Sequence, residues 1–127
     1  MAHLIWTEPA LDDLDALAGF IALDNPAAAG RFVRKVIERV ERLKTFPNSG
    51  RRPRELPGTL YREIVVPPCR VFYRVSGNTI FIVHAMREEQ QIDQFLLDER
   101  EKRLYLNFAR VSAKFTRRAV IRPFPRA

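Results

Sequence analysis

Apolar residues return at two different periods along this chain, and the change of period divides it. Leu11, Leu14, Leu17, Ala18 and Ile21 recur at helical spacing, so residues 8–23 read as an amphipathic helix. Thr7 can cap that helix, Pro9 fits its first turn, and Asp12, Asp13 and Asp15 suit its positive end. Asn25-Pro26 stops it and caps a second helix, from Ala27 to about Phe46. The apolar positions there are Phe32, Val33, Val36, Ile37, Val40 and Leu43. A connection of two or three residues predicts an antiparallel helical hairpin. Pro47-Asn48-Ser49-Gly50 ends the second arm, and a basic loop, Arg51-Arg52-Pro53-Arg54, runs on to Pro57-Gly58.

The period then shortens to two. Residues 60–66 are β-rich, Pro67-Pro68 is a turn, and residues 70–75 alternate. Val71, Tyr73 and Val75 fall on one face of that strand, with Arg70, Phe72 and Arg74 on the other. After the hairpin loop Ser76-Gly77-Asn78, residues 79–86 are apolar on both faces, as a central strand requires. Residues 88–98 return to a helical pattern, with Ile92, Phe95 and Leu96 expected inward, and residues 3–7 open the chain as a short strand. The order β-α-α-β-β-β-α predicts an α+β domain. Its helical hairpin should lie against one face of a three-stranded antiparallel meander.

Composition narrows this without redirecting it. The 127 residues fit one domain, and 46% apolar with 29% charged residues excludes a disordered or low-complexity chain. The longest apolar stretch, residues 80–86, contains His84 and is far too short to span a membrane. With no signal-peptide pattern and a single Cys69, the expectation is a cytoplasmic protein with no membrane partner. Two histidines and one cysteine offer no metal-ligand spacing, and no Gly-rich phosphate loop occurs, so no cofactor or metal is expected.

Charge is unevenly placed. Residues 1–30 hold five acids and no Lys or Arg, while residues 31–87 are strongly basic and residues 88–99 acidic. The first hundred residues are formally neutral, so the net charge of +7 lies wholly in residues 101–127. There Leu104, Phe108, Val111 and Phe115 are spaced as on a helix among Lys102, Arg103, Arg110, Lys114, Arg117 and Arg118. Residues 101–127 therefore read as a basic extension to the 1–100 domain, helical to about residue 118. It is either a docking or nucleic-acid-binding helix or weakly ordered sequence.

The ordered set of motifs resembles the RelE/ParE toxins of bacterial type II toxin–antitoxin modules. It comprises Asn25-Pro26-Ala27-Ala28, Phe46-Pro47-Asn48-Ser49-Gly50-Arg51, Leu60-Tyr61-Arg62-Glu63, Cys69 through Val75, and His84-Ala85-Met86-Arg87. The long capped hairpin looks nearer the ParE branch. That resemblance implies a toxin, neutralised by a cognate and typically DNA-binding antitoxin, that inhibits DNA gyrase. The RelE branch implies instead ribosome-dependent cleavage of messenger RNA, for which Arg62, Arg70 and Arg87 match basic positions. A third reading is a non-toxic binding module derived from a toxin. Ile64 stands where the ribonuclease pattern has a second basic residue, and no Tyr occurs between 88 and 98, so the enzyme reading is the weaker one. The residues expected to meet antitoxin or target are Arg62, Arg70, Phe72, Arg74 and Arg87.

Each candidate also has a plainer structural reading. Arg70 and Arg74 could belong to a solvated, salt-bridged sheet face. His84 could be a hydrogen-bonded core histidine rather than a base, and Glu63 could pair with an arginine on the next strand. Cys69 has no neighbouring His to activate it as a nucleophile.

Overall fold

A computed structural model describes residues 1–100 and Lys102. The predicted extension therefore lies outside the described residues, apart from Lys102. Strand β1 (His3–Trp6) leads into helix α1 (Glu8–Asp24) and helix α2 (Pro26–Glu41), which tightens into a 3₁₀ turn (Arg42–Lys44). Strands β2 (Arg62–Val66), β3 (Cys69–Ser76) and β4 (Thr79–Arg87) follow. Residues 88–93 are turn and coil, and a third helix, α3 (residues 94–100 and Lys102 among the described residues), begins later than the sequence pattern suggests.

The helix ends are set by side chains. Thr7 Oγ1 accepts from the Ala10 N–H at 3.3 Å, and Pro9 occupies a position where its missing N–H costs nothing. Asn25 closes α1, with its N–H donating to Ile21 O at 3.1 Å, and opens α2, with Oδ1 accepting from the Ala28 N–H at 3.1 Å. One residue therefore makes the connection for which two or three were expected.

The sheet order is β1-β4-β3-β2. The meander β2-β3-β4 is antiparallel as its alternation predicts, while β1 adds to β4 in parallel, His3 opposite Thr79, so the sheet is mixed. β4 is thereby central, and its residues 80–86 are all buried. Tyr73 pairs with Ile82 and Phe72 with His84, which leaves Val83 as an extra residue in β4, a β-bulge.

Both faces of the sheet are covered. α1 and α2 bury Leu14, Phe32, Val36 and Val40 against Val71, Tyr73, Ile80, Ile82 and Ala85. On the other face Phe72, Phe81, Val83 and Met86 pack under Leu56 and Tyr61 of the basic loop and under Ile92 and Leu97. The expectation for α3 needs correcting here. Phe95 is 68% exposed and Leu96 is at the surface, whereas Leu97 is fully buried, its carbonyl accepting from Tyr61 Oη at 3.4 Å. Asp93 ends the coil, its Oδ1 accepting from the Phe95 N–H at 2.9 Å, and this phase turns residue 97 rather than 95 toward the sheet.

The exit from α2 is fixed by close approach. Gly50 N–H donates to Tyr73 Oη at 2.8 Å, and that hydroxyl donates onward to Pro47 O at 2.8 Å. A Cβ at position 50 would lie 2.5 Å from Tyr73 Oη and 2.8 Å from the Glu63 carbonyl oxygen. Gly50→Ala should therefore destabilise the fold by about 1–3 kcal/mol, as overpacking does. Tyr73→Phe, which leaves the Gly50 N–H unpaired, should cost about the same. Urea denaturation of both variants checks this, and a Gly50→Ala midpoint equal to wild type would contradict it.

Candidate functional site

The alternation of β3 places Arg70, Phe72 and Arg74 on one face, as read from the sequence, but that face is not solvated. Arg70 is 5% and Arg74 7% exposed. A guanidinium taken out of water needs acceptors, and Arg70 makes four hydrogen bonds and one further ionic contact within the protein. Nε donates to Glu63 Oε2 at 2.8 Å, and Nη2 reaches that oxygen at 2.6 Å and Glu55 Oε1 at 2.9 Å. Nη1 donates to Glu55 Oε2 at 2.7 Å and to Gln90 O at 2.9 Å. The plane also lies over the Phe72 ring, 4.9 Å from its centroid. Hydrogen bonds to Glu55 first, and to Glu63, hold Arg70 protonated against the opposing effect of burial.

The acids bind further groups. Glu55 Oε2 also accepts the Ile92 N–H at 3.1 Å, and its carboxyl is held at about 2, chiefly by the Arg70 hydrogen bonds. Glu63, 1% exposed, takes Arg51 Nε at 2.7 Å on its other oxygen, while the backbones of the two residues form an isolated antiparallel bridge. Glu63 thus pairs with an arginine on the neighbouring strand and is closed off as a general base. Arg51, Arg54, Glu55, Glu63, Arg70, Glu88 and Gln91 line a cleft of 480 Å³ beside this network.

The remaining candidates lie apart from one another. Arg62 faces the α2 exit, where Nη1 donates to Gly50 O at 2.8 Å and Asn48 O at 3.3 Å. Arg74 lies over the Tyr61 ring at 6.0 Å, and Phe72 is fully buried. Arg87, at the end of β4, is 46% exposed in its side chain, 3.1 Å from Glu89 and 5.8 Å over the ring of Phe20. The three arginines matched to the ribonuclease pattern therefore differ in surroundings: one is enclosed, one holds a loop, and one faces solvent.

A second ionic node lies where α1 meets β4. Asp13 Oδ2 accepts from the Ala85 N–H at 3.0 Å and meets His84 Nδ1 at 2.9 Å, while Arg100 Nη2 donates to Oδ1 at 3.1 Å. Burial pushes the Asp13 carboxyl up, but the bonds from His84, Arg100 and Ala85 together with the charge of His84 outweigh it and hold it at about 2. His84 is buried and stacked on Phe72 at 5.8 Å, as a core histidine, with no partner for Nε2 among the described residues. Burial first, then the charges of Glu89 and Glu88, pushes the Cys69 thiol up to about 11, so it is no nucleophile. Among the described residues no group of three or more His, Cys, Asp or Glu side chains could hold a metal, and no helix is long and apolar enough to cross a membrane.

Sequence reasoning missed Glu55, Asp13 and Arg100. Glu55 gave a signal, as the lone acid in a basic loop; Asp13 was masked by its evident fit to the α1 dipole, and Arg100 gave none.

Comparison with known proteins agrees with this architecture. Residues 4–92 match the family model described as the ParE toxin of the type II toxin–antitoxin system parDE. Toxin RelE2 of Caulobacter vibrioides is 34% identical over 90 residues, 68% of this chain and 99% of that protein. Y4kP of Sinorhizobium fredii is 37% identical over 93 residues, 72% of this chain and 93% of its own length. A solved structure titled as the chromosomal ParDE TA system from P. aeruginosa superposes with a TM-score of 0.59 at 30% identity, covering 70% of this chain and 98% of that one.

Arg70→Ala leaves Glu63 buried without its main partner, and should cost about 3–5 kcal/mol of stability. Arg87→Ala, at the surface, should stay within about 0.5 kcal/mol. Chemical denaturation separates these outcomes, and a fully stable Arg70→Ala variant would contradict the enclosed network.

The carboxyls of Glu55 and Asp13 sit below their unfolded values, so the folded state binds fewer protons than the unfolded one in the acid range. Their contribution is whole above about pH 4.5 and is lost as pH falls toward about 2. Glu55→Gln should lose less stability than wild type between those limits. Parallel acid profiles would contradict this.

Proposed function

This chain belongs to the ParE toxin family of type II toxin–antitoxin systems, and we propose that it acts by binding and inhibiting DNA gyrase rather than by cutting RNA. The observation that carries this reading is the engagement of Arg70. Cleaving RNA through its own 2′-OH requires a base, an acid for the leaving oxygen, and cations directed at the crowded phosphate. Arg70 spends Nε, Nη1 and Nη2 on acceptors inside the protein, Arg62 spends its Nη1 on the α2 exit, and Glu63 is doubly ion-paired. His84 is shut in the core against Asp13. Such surroundings support binding chemistry at the rim, and these described groups are not free to move protons in attack by the 2′-OH.

The antitoxin is a protein whose acids complement the outward-facing bases. Arg87 at the end of β4 and, apart from it, Arg51 and Arg54 on the cleft rim are exposed and take that role, while Arg62 is half-buried at the α2 exit. Arg70, Phe72 and Arg74 contribute by holding the floor in place. Exposed rim charges govern the association rate and its salt dependence more than the final affinity.

Purified protein should inhibit gyrase supercoiling and accumulate cleaved DNA, and should leave ribosome-bound messenger RNA intact. Arg87→Glu should weaken inhibition without loss of fold. Site-specific cuts at the ribosomal A site, abolished in Arg87→Ala, would overturn this reading in favour of the endoribonuclease. Normal growth on induction without antitoxin, and no gyrase inhibition, would point to the inert binding module.

A further inference from the structure

The two arms of the helical hairpin carry opposite and unpaired charge. α1 exposes Glu8, Asp12, Asp15 and Asp24, and residues 1–30 contain no Lys or Arg. α2 and its 3₁₀ turn expose Arg31, Arg34, Lys35 and Arg42, with Arg39 half-buried. These side chains form no ion pair among the described residues. By contrast Lys44 meets Glu41 at 2.8 Å, and Arg87, which lies over the Phe20 ring of α1, meets Glu89 at 3.1 Å.

The bases of α2 do not serve the helix that carries them. Arg31–Arg34, Arg31–Lys35, Lys35–Arg39 and Arg39–Arg42 are like-charged neighbours at i,i+3 or i,i+4, which weakens a helix. Glu38, which lies beside them, is the only acid in α2 before its last residue, and it forms no ion pair among the described residues. Arg31, Lys35 and Arg42 fall within about 40° of one another round the axis, along about 16 Å of helix. One strand of duplex DNA presents a phosphate every 3.4 Å or so of its axis, so that length faces about five. Ile37, the large apolar side chain that α2 exposes, lies about 140° from the centre of this stripe. A protein partner needs an apolar, desolvated centre in which lysine is depleted, whereas a row of phosphates needs charge alone.

We propose that the exposed face of α2 docks on duplex DNA without sequence preference, setting Arg31, Lys35 and Arg42, flanked by Arg34 and Arg39, against the phosphates of one strand. The acids of α1 fix the approach, because they repel the same phosphates and turn that arm away. The choice of duplex DNA rests on the gyrase reading, since gyrase holds a duplex as its substrate. The stripe then fastens the toxin to the DNA on which its target works.

The test is fluorescence anisotropy of the full chain on a labelled duplex of about 20 base pairs, from about 50 mM to about 200 mM salt. Wild type is compared with Arg31→Ala/Lys35→Ala/Arg42→Ala; residues 101–127 are present in both, so their own contribution to binding cancels. Each phosphate contact adds about −0.9 to the slope of log affinity on log salt. The triple variant should therefore lose about 2.7 of that slope and bind at least about tenfold more weakly at about 0.1 M salt. Glu38→Gln should bind more tightly than wild type. If the triple variant fails to fold, Lys35→Ala alone, with a loss of about 0.9 in slope, gives the same reading. Equal slopes in wild type and variant would overturn the proposal. So would a variant that keeps its DNA affinity but no longer binds gyrase in the absence of DNA, because the stripe would then dock on protein. Gyrase inhibition without DNA affinity overturns this surface alone, and DNA affinity without gyrase inhibition overturns the gyrase reading alone.

Discussion

The buried ion network centred on Arg70 is the constraint around which one whole side of the molecule is arranged. A guanidinium and two carboxylates removed from water are costly, and their attraction repays that cost only when every donor and lone pair is met. Here β3 supplies the cation, β2 supplies Glu63, the basic loop supplies Glu55, and the coil before α3 supplies Gln90 O and the Ile92 N–H. Four segments distant in sequence must therefore reach one place together. The network adds little net attraction over an apolar replacement, but it makes any partial arrangement expensive.

The ionic network and the Asp13 node explain how a sheet with polar residues on its second face still forms a closed domain. Glu55 draws the basic loop down onto the sheet, and Arg100 ties α3 to α1 and to Val83 O. Between these ties Leu56, Tyr61, Ile92 and Leu97 seal Phe72 and Phe81. The chemical consequence is a division of labour among the bases. Arg70, which points into the sheet's second face, is neutralised within the chain, and the arginines at the rim remain exposed.

Most of the fold is written in local sequence. The hairpin follows from Thr7, Pro9, Asn25 and Pro26 together with the helical recurrence of Leu14, Leu17, Ile21, Phe32, Val36 and Val40. The meander follows from the alternation of β3 and the apolar run of β4. What local pattern does not carry is pairing at long range. Nothing in residues 3–7 says that β1 joins β4 in parallel, because strand pairing is decided by which edge the hairpin leaves open. The phase of α3 was missed for a related reason: Ile92 is buried as expected, but Phe95 and Leu96 fit a helical stripe as well as Leu97 does, and the Tyr61 contact and the Asp93 cap choose between them. For the candidate site, the face shared by Arg70, Phe72 and Arg74 was legible from period two. Its burial was not, since that depends on Glu55, fifteen residues away in the chain.

The single residue joining α1 to α2 has a consequence for how this architecture can vary in length. Asn25 is at once the last stop of one helix and the first acceptor of the next, so there is no slack between them. Adding or deleting a residue there would not lengthen a loop. It would turn α2 about its own axis by about 100°, carrying Phe32, Val36 and Val40 off the sheet. The junction behaves as a hinge pin cut to one length, and changes in chain length are confined to other connections.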